Sequence, residues 1–203
     1  LLSGGIDSSV ASFLAMKRGC RVDFLHFHTF KTNKEVLNSK IKNIVEKLNK
    51  YQGTSKLYTI PYHNYQLNTL DKIPENLDVV IFKNFILRIA QELSKKHKYK
   101  AIITGDSIGQ VASQTLPNIQ ATRFEIENPI LSPLITYDKQ EIIDLSKKIN
   151  LYEDSIQKYK DCCSIIARKP STAVNIEKLK PILKNIDIKK LVDSTMKEME
   201  TFK

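Results

Sequence analysis

The chain opens on Leu1-Leu2-Ser3-Gly4-Gly5-Ile6-Asp7-Ser8-Ser9, and no other stretch restricts its fold as much. Two apolar residues read as the end of a strand. Residues 7–18 read as a helix, with Val10, Phe13 and Leu14 on one face. Between them, Gly4 and Gly5 let the backbone approach an anion without a Cβ and permit positive φ. Amides at the start of the helix would face that anion, aided by the helix dipole. Ser3, Ser8 and Ser9 add hydroxyl donors, whereas the Asp7 carboxylate would repel a phosphate unless Mg²⁺ or another donor mediates. No Gly-Lys-Ser/Thr follows, and the pattern is not G-x-G-x-x-G, so neither a Walker A loop nor a dinucleotide fingerprint is present.

The rest of the chain alternates strand and helix patterns. Residues 21–28, 56–61 and 101–104 read as strands, and residues 34–50, 77–97 and 138–149 as helices, the last with Asp138 and Glu141 spaced as a capping box. This alternation predicts an α/β fold: a doubly wound parallel sheet with helices on both faces. Ligands in such sheets sit beyond the carboxyl ends of the strands. The Ser3–Ser9 loop, His26-Phe27-His28 and Thr104–Ser107 all follow such ends, so three segments converge on one crevice. Residues 106–134 and 151–172 read as irregular, the first long enough to suggest a functional loop. Residues 174–203 read as a Lys-rich helical tail interrupted at Pro181. The expected organisation is one unit over 1–172, with 173–203 appended.

No run approaches the roughly 18 apolar residues of a membrane span, and no signal peptide is evident. The chain starts without Met on the end of a strand, which reads as a piece of a longer protein. Its net charge of +10 fits a polyanionic partner or plain solubility. Cys20, Cys162 and Cys163 are odd in number and form no C-x-x-C pair, which fits a reducing cytoplasm and a working thiol. Cys20 reads as a packing residue. Lys158, Lys160, Arg168 and Lys169 surround the other two, and such cations would favour thiolate.

The Ser3-Gly4-Gly5-Ile6-Asp7-Ser8 stretch resembles the S-G-G-x-D-S signature of the PP-loop ATP pyrophosphatases. Further segments are similar to the catalytic domain of the tRNA 4-thiouridine synthetase (tRNA uracil 4-sulfurtransferase) family: Arg18-Gly19 with Leu25–His28, Thr104–Thr115, Pro133–Ile143 and Asp161-Cys162-Cys163. That resemblance covers residues 1 to about 172. It implies ATP as cofactor with Mg²⁺, tRNA as substrate, a cysteine desulfurase as sulfur donor, and a link to thiamine thiazole synthesis. It also implies an N-terminal ferredoxin-like and THUMP RNA-binding region in the parent protein. A homodimer is a further expectation.

Residue by residue, the resemblance implies that Leu1 and Leu2 flank the adenine and that His26 and Phe27 line its pocket. Gly105 and Gln114 fall on nucleotide-contacting positions. Lys83 stands where an Arg is usual, with Asn84 beside it and Arg88 a turn further on; a lysine keeps the charge but not the bidentate fork. Lys139 matches a required lysine, a point charge suited to the α-phosphate. Counting from Lys139, the family cysteine falls on Cys162; counting back from Pro170, it falls on Cys163; of the two, Cys162 is the expected carrier.

The implied reaction is adenylation of uracil O4 with release of pyrophosphate, followed by attack of a cysteine persulfide at C4. Two other readings stay open. One is another PP-loop adenylating enzyme, such as an amidotransferase-type synthetase or a different tRNA thiolase. The other is a nucleotide-binding module without catalysis.

Overall fold

A computed structural model describes residues 1–166 and 169–203. Its order is α1 (Ile6–Lys17), β1 (Phe24–His28), a 3₁₀ turn (Asn33–Asn38), α2 (Lys40–Asn49), β2 (Leu57–Pro61), α3 (His63–Thr69), α4 (Glu75–His97) and β3 (Ile102–Ile103). It continues with α5 (Leu116–Thr122), β4 (Ile130–Leu131), α6 (Lys139–Lys148), α7 (Tyr152–Ser155), α8 (Cys162–Ile166), α9 (Ile176–Asn185), α10 (Ile188–Met196) and β5 (Glu200–Phe202).

β1 and β2 pair in parallel from Phe24↔Leu57 to His28↔Pro61, and β3 pairs in parallel with β4. The two ladders meet at Leu1-Leu2. The Leu1 amine donates to Ile103 O at 2.7 Å, and the Leu2 amide donates to Leu25 O at 2.9 Å. These two residues therefore lie in the seam between β3 and β1, and the phosphate loop leaves from the middle of the sheet.

Side chains alternate across a strand. Leu25, Phe27, Tyr58 and Ile60 join a core with α4, α5, α8, α9 and α10 on one face. Phe24, Leu57 and Leu2 join a core with α1, α2 and α6 on the other. The expected doubly wound α/β arrangement is therefore present, with helices on both faces.

Four local expectations are corrected. Residues 34–50 are not one helix: Ser39 is extended and caps α2 by accepting from the Ile41 amide, so the chain breaks there. Residues 106–134 are not wholly irregular, because Thr115 caps α5 with Pro117 in its first turn, and β4 follows. Residues 151–172 hold the short helices α7 and α8. The helical reading of residues 174–203 holds for α9 and α10, but α9 runs through Pro181 and the break falls at Asp187, and the chain ends in β5, which pairs antiparallel with β2. No described helix is long and apolar enough to cross a membrane.

Candidate functional site

A cavity of about 260 Å³ opens beyond the carboxyl ends of β1 and β3. Leu1, Leu2, Ser3, Asp7 and Ser8 form one side, and Phe27 another. Lys83, Thr104, Gly105, Asp106 and Gln114 come from α4 and the segment after β3, and Asp161, Cys162 and Cys163 from the start of α8. The convergence expected from strand ends is borne out in this geometry.

The phosphate loop is shaped by its glycines. Gly4 has φ +85°, and a Cβ there would stand 2.5 Å from Ile41 Cδ1. Gly105 lies against the loop from outside, and a Cβ there would stand 2.8 Å from Asp7 C and Ser8 N. The loop is also self-bonded. The Ser3 amide donates to Ser8 Oγ at 3.2 Å, and the Gly5 amide donates to Ser3 Oγ at 3.2 Å.

Asp7 is held from two sides. Lys139 Nζ donates to Oδ1 at 2.9 Å, and Gln110 Nε2 donates to Oδ2 at 2.8 Å. Lys139 does not line the cavity; it reaches the site through Asp7. Its helix is fixed by the expected capping box, with Asp138 accepting from the Glu141 amide and Glu141 accepting from the Asp138 amide, both at 2.8 Å.

Sequence reasoning missed Asp106 as the charge centre of the cavity. Lys83 Nζ approaches it at 3.3 Å and Arg123 at 3.6 Å, while the Thr104 hydroxyl donates to it at 2.8 Å. Burial pushes this carboxyl up, but Lys83, the Thr104 hydroxyl and Arg123 outweigh it and hold the pKa below the ordinary value. The signal was available in Thr104-Gly105-Asp106-Ser107, a polar run directly after an apolar strand. Lys83 is thus committed to a carboxylate, while Gln114 Oε1 is buried without a hydrogen-bond partner among the described residues. That orphaned acceptor suits a donor on a bound molecule.

His26 is a correction. Its side chain is not among those lining the cavity. It sits on the opposite face of β1 from Phe27, fully buried, because strand side chains alternate. Its Nδ1 lies 2.8 Å from Leu2 O and its Nε2 2.7 Å from the Tyr159 hydroxyl. Burial lowers its pKa to about 4, so the ring is neutral. Nδ1 then carries the proton for the Leu2 carbonyl, and Nε2 accepts from Tyr159. Among the described residues no set of three His, Cys, Asp or Glu side chains could hold a metal ion.

The thiols are a second correction. Burial raises both pKa values, that of Cys163 to about 12, with Asp161 adding to the rise and Lys83 opposing it for Cys163. The nearby cations read from sequence do not act as expected: Lys158, Lys160 and Lys169 are exposed, and Arg168 lies outside the described residues. Cys162 is 1% exposed and belongs to the α4-side core, whereas Cys163 is half-buried against it. Cys20, expected to pack, is exposed.

A model of the family described as Thiamine biosynthesis protein (ThiI) matches residues 1–188. The chain is 36% identical over 203 residues to a probable tRNA sulfurtransferase of Clostridium perfringens (strain 13 / Type A), covering 100% of the chain and 53% of that protein. A probable tRNA sulfurtransferase of Finegoldia magna is 38% identical over 204 residues, covering 100% of the chain and 52% of that protein. The fold is similar to that of a 4-thiouridine synthetase solved as an RNA complex with bound ATP. The TM-score is 0.91 at 29% identity, over 100% of this chain and 53% of that one. The chain spans about half the length of the curated relatives it matches.

Proposed function

The chain belongs to the Thiamine biosynthesis protein (ThiI) family, and from that premise we propose that it carries the ATP-binding and sulfur-transfer centre of a tRNA sulfurtransferase. One observation carries the reading: the phosphate loop at Ser3, Asp7 and Ser8 and the thiols of Cys162 and Cys163 border the same cavity. A nucleotide held at one wall would present its α-phosphate within reach of chemistry at the other.

ATP binds with its phosphates against Ser3–Ser9, where loop amides and hydroxyls donate to them. Its base lies near Leu1, Leu2 and Phe27. Gln114 supplies an acceptor for the base or ribose. Asp7 offers oxygen of the kind Mg²⁺ prefers, and that ion is held by one or two carboxylates together with substrate phosphates. The ion would neutralise charge on the triphosphate. Lys139, anchored on Asp7, adds a cation beside the phosphate that develops charge. Lys83, paired with Asp106, adds positive charge to the cavity from α4.

Uracil O4 of a tRNA attacks the α-phosphate, forming an O–P bond as pyrophosphate leaves. A persulfide sulfur then attacks C4 and the C–O bond to AMP breaks, leaving the base joined to the cysteine through an S–S bond. A second thiol attacks the cysteine sulfur, the S–S bond breaks, 4-thiouridine leaves, and the disulfide so formed is reduced by an external dithiol. Cys163 is the better carrier, being half-buried at the cavity beside Lys83, while Cys162 is spent on packing. A cysteine desulfurase loads the thiol, and the same sulfur can serve thiamine thiazole synthesis in the cytoplasm. The catalytic unit expected over residues 1–172 includes 173–203 as well, because α9 and α10 complete the α4-side core and β5 pairs with β2. The parent protein supplies RNA contacts through a THUMP and ferredoxin-like region and assembles as a homodimer.

The test has two stages. Calorimetric titration of the 203-residue chain with ATP and Mg²⁺ should show one site, weakened at least tenfold by Asp7→Ala. Pyrophosphate release by the parent protein should require tRNA and not small carboxylate or amine acceptors. Absence of ATP binding, or release driven by the small acceptors, overturns the reading.

A further inference from the structure

The segment that leads into the thiols is tied down by side chains from the nucleotide half. The Tyr159 hydroxyl donates to His26 Nε2 at 2.7 Å, and His26 Nδ1 donates to Leu2 O at 2.8 Å, one residue before the phosphate loop. Lys40 Nζ donates to Ser155 O at 2.7 Å and Gln157 O at 3.0 Å. The Lys40 stem also packs under the loop, since a Cβ on Gly4 would stand 3.2 Å from its Cε. The Thr29 hydroxyl donates to Lys160 O at 3.2 Å. Two residues beyond Tyr159, the Asp161 amide donates to Tyr159 O at 3.1 Å, and α8 begins.

We propose that Tyr159, His26, Thr29 and Lys40 form a latch that holds residues 155–161 against the phosphate loop and so sets where Cys163 stands in the cavity. These are positioning residues: none of the four side chains lines the cavity, and each acts through the backbone that carries the thiol. The pattern has a directional logic. His26 has two ring nitrogens, and both are used, one on the strand that launches the loop and one on the segment that delivers the cysteine. A core histidine needed only for packing has no reason to join two such elements, one of them 133 residues along the chain from it. Lys40 is likewise a buried cation whose partners are two carbonyls of that segment rather than a carboxylate. Its stem underlies one wall of the cavity and its head fixes the approach to the other. The proposal rests on the reading of Cys163 as sulfur carrier, but its test does not.

The 203-residue chain, without nucleotide, is treated with iodoacetamide near pH 8, and alkylation at each cysteine is read by peptide mass spectrometry. Exposed Cys20 serves as internal reference. Tyr159→Phe should raise the Cys163 rate relative to Cys20 by about threefold to tenfold, the size of one lost hydrogen bond. His26→Asn, which keeps a short donor near Leu2 O but does not reach Tyr159, should do the same, and the double variant should go no further. Thr29→Val, at a half-buried position, should act in the same direction and serves if His26→Asn fails to fold. ATP affinity of Tyr159→Phe should stay within twofold of the parent chain, a constancy that general loosening of the fold would not leave. A Cys163 rate unchanged within twofold in Tyr159→Phe, or single effects that multiply in the double variant, overturns the latch. Titration with ATP on the same samples tests the nucleotide reading separately, so failure of either is recognisable on its own.

Discussion

Lys139 Nζ stands 2.9 Å from Asp7 Oδ1, so a lysine at the start of α6 and an acid in the phosphate loop neutralise each other across 132 residues of chain. The lysine is 47% exposed and the acid 25%, so the pair is a rim contact rather than a buried one. Exposed pairs of this kind contribute about 0–1 kcal/mol. Lys139→Ala should therefore shift the melting temperature by no more than about 4 °C. Loss of a cation that acts on the transition state should lower tRNA-dependent pyrophosphate release by about 100-fold or more. Parallel melting and rate measurements separate the two, and a rate within threefold of the parent value would remove Lys139 from the chemistry.

Gly105→Ala should cost both stability and nucleotide binding. Its Cβ would meet the main chain of Asp7 and Ser8, which cannot step aside without reshaping the loop. Overpacking against backbone costs about 1–3 kcal/mol, and ATP affinity should fall at least tenfold. Gly5→Ala is the contrast for stability alone, because the nearest atom to its Cβ is Ser3 Oγ at 3.4 Å. Urea unfolding and calorimetry on both variants check this, and a tolerant Gly105→Ala would show that the close approach does not matter.

Cys163 should behave as a thiol held protonated. With its pKa near 12, its alkylation rate should climb about tenfold per pH unit from pH 7 to 10 without levelling. The same shift gives a stability slope. Above about 9 the unfolded thiol sheds its proton while the folded one keeps it, so the unfolded state binds fewer protons and stability falls as pH rises toward 12. A rate plateau below pH 10 would contradict this burial.

His26 gives the opposite limb. The unfolded imidazole takes up a proton below about 6.5, whereas the folded one resists until about 4, so the unfolded state binds more protons in that window. Stability should fall as pH drops from 6.5 to 4, by up to about 3 kcal/mol for this residue. His28, also lowered chiefly by burial, adds in the same direction. Urea unfolding at pH 7 and pH 4.5 measures the loss, and His26→Asn should show a smaller one.

The parts of this molecule that were legible in the sequence are those written in local chemistry. Gly4, Gly5 and Asp7 announce a strand–loop–helix joint, and Asp138 with Glu141 announces the start of α6. The long apolar stripe of α4 is likewise plain. Other features depend on partners distant in the chain. Thr115-Leu116-Pro117 reads equally as a breaker or as a helix start, and α5 forms because Asn118 finds carbonyls at Ala112 and Ser171. β5 is three residues long and exists because β2 offers it an edge. The face taken by His26 follows from the register of β1, which five apolar and imidazole side chains, buried on both faces, do not reveal. Counting lysines around Cys162 and Cys163 misled for the same reason: Lys158, Lys160 and Lys169 point to water, and the cation that matters, Lys83, comes from a helix about 80 residues earlier.

The seam at Leu1-Leu2 has a consequence for the order of folding. One residue takes its main-chain partner from the β3–β4 ladder and the next takes its partner from β1. The anion cradle that follows them can take shape only after both half-sheets have come together. During refolding, capture of nucleotide should thus be among the last signals to return, later than the burial of aromatic side chains in α4. ATP becomes a reporter of completed assembly, and any partly folded chain stays empty-handed.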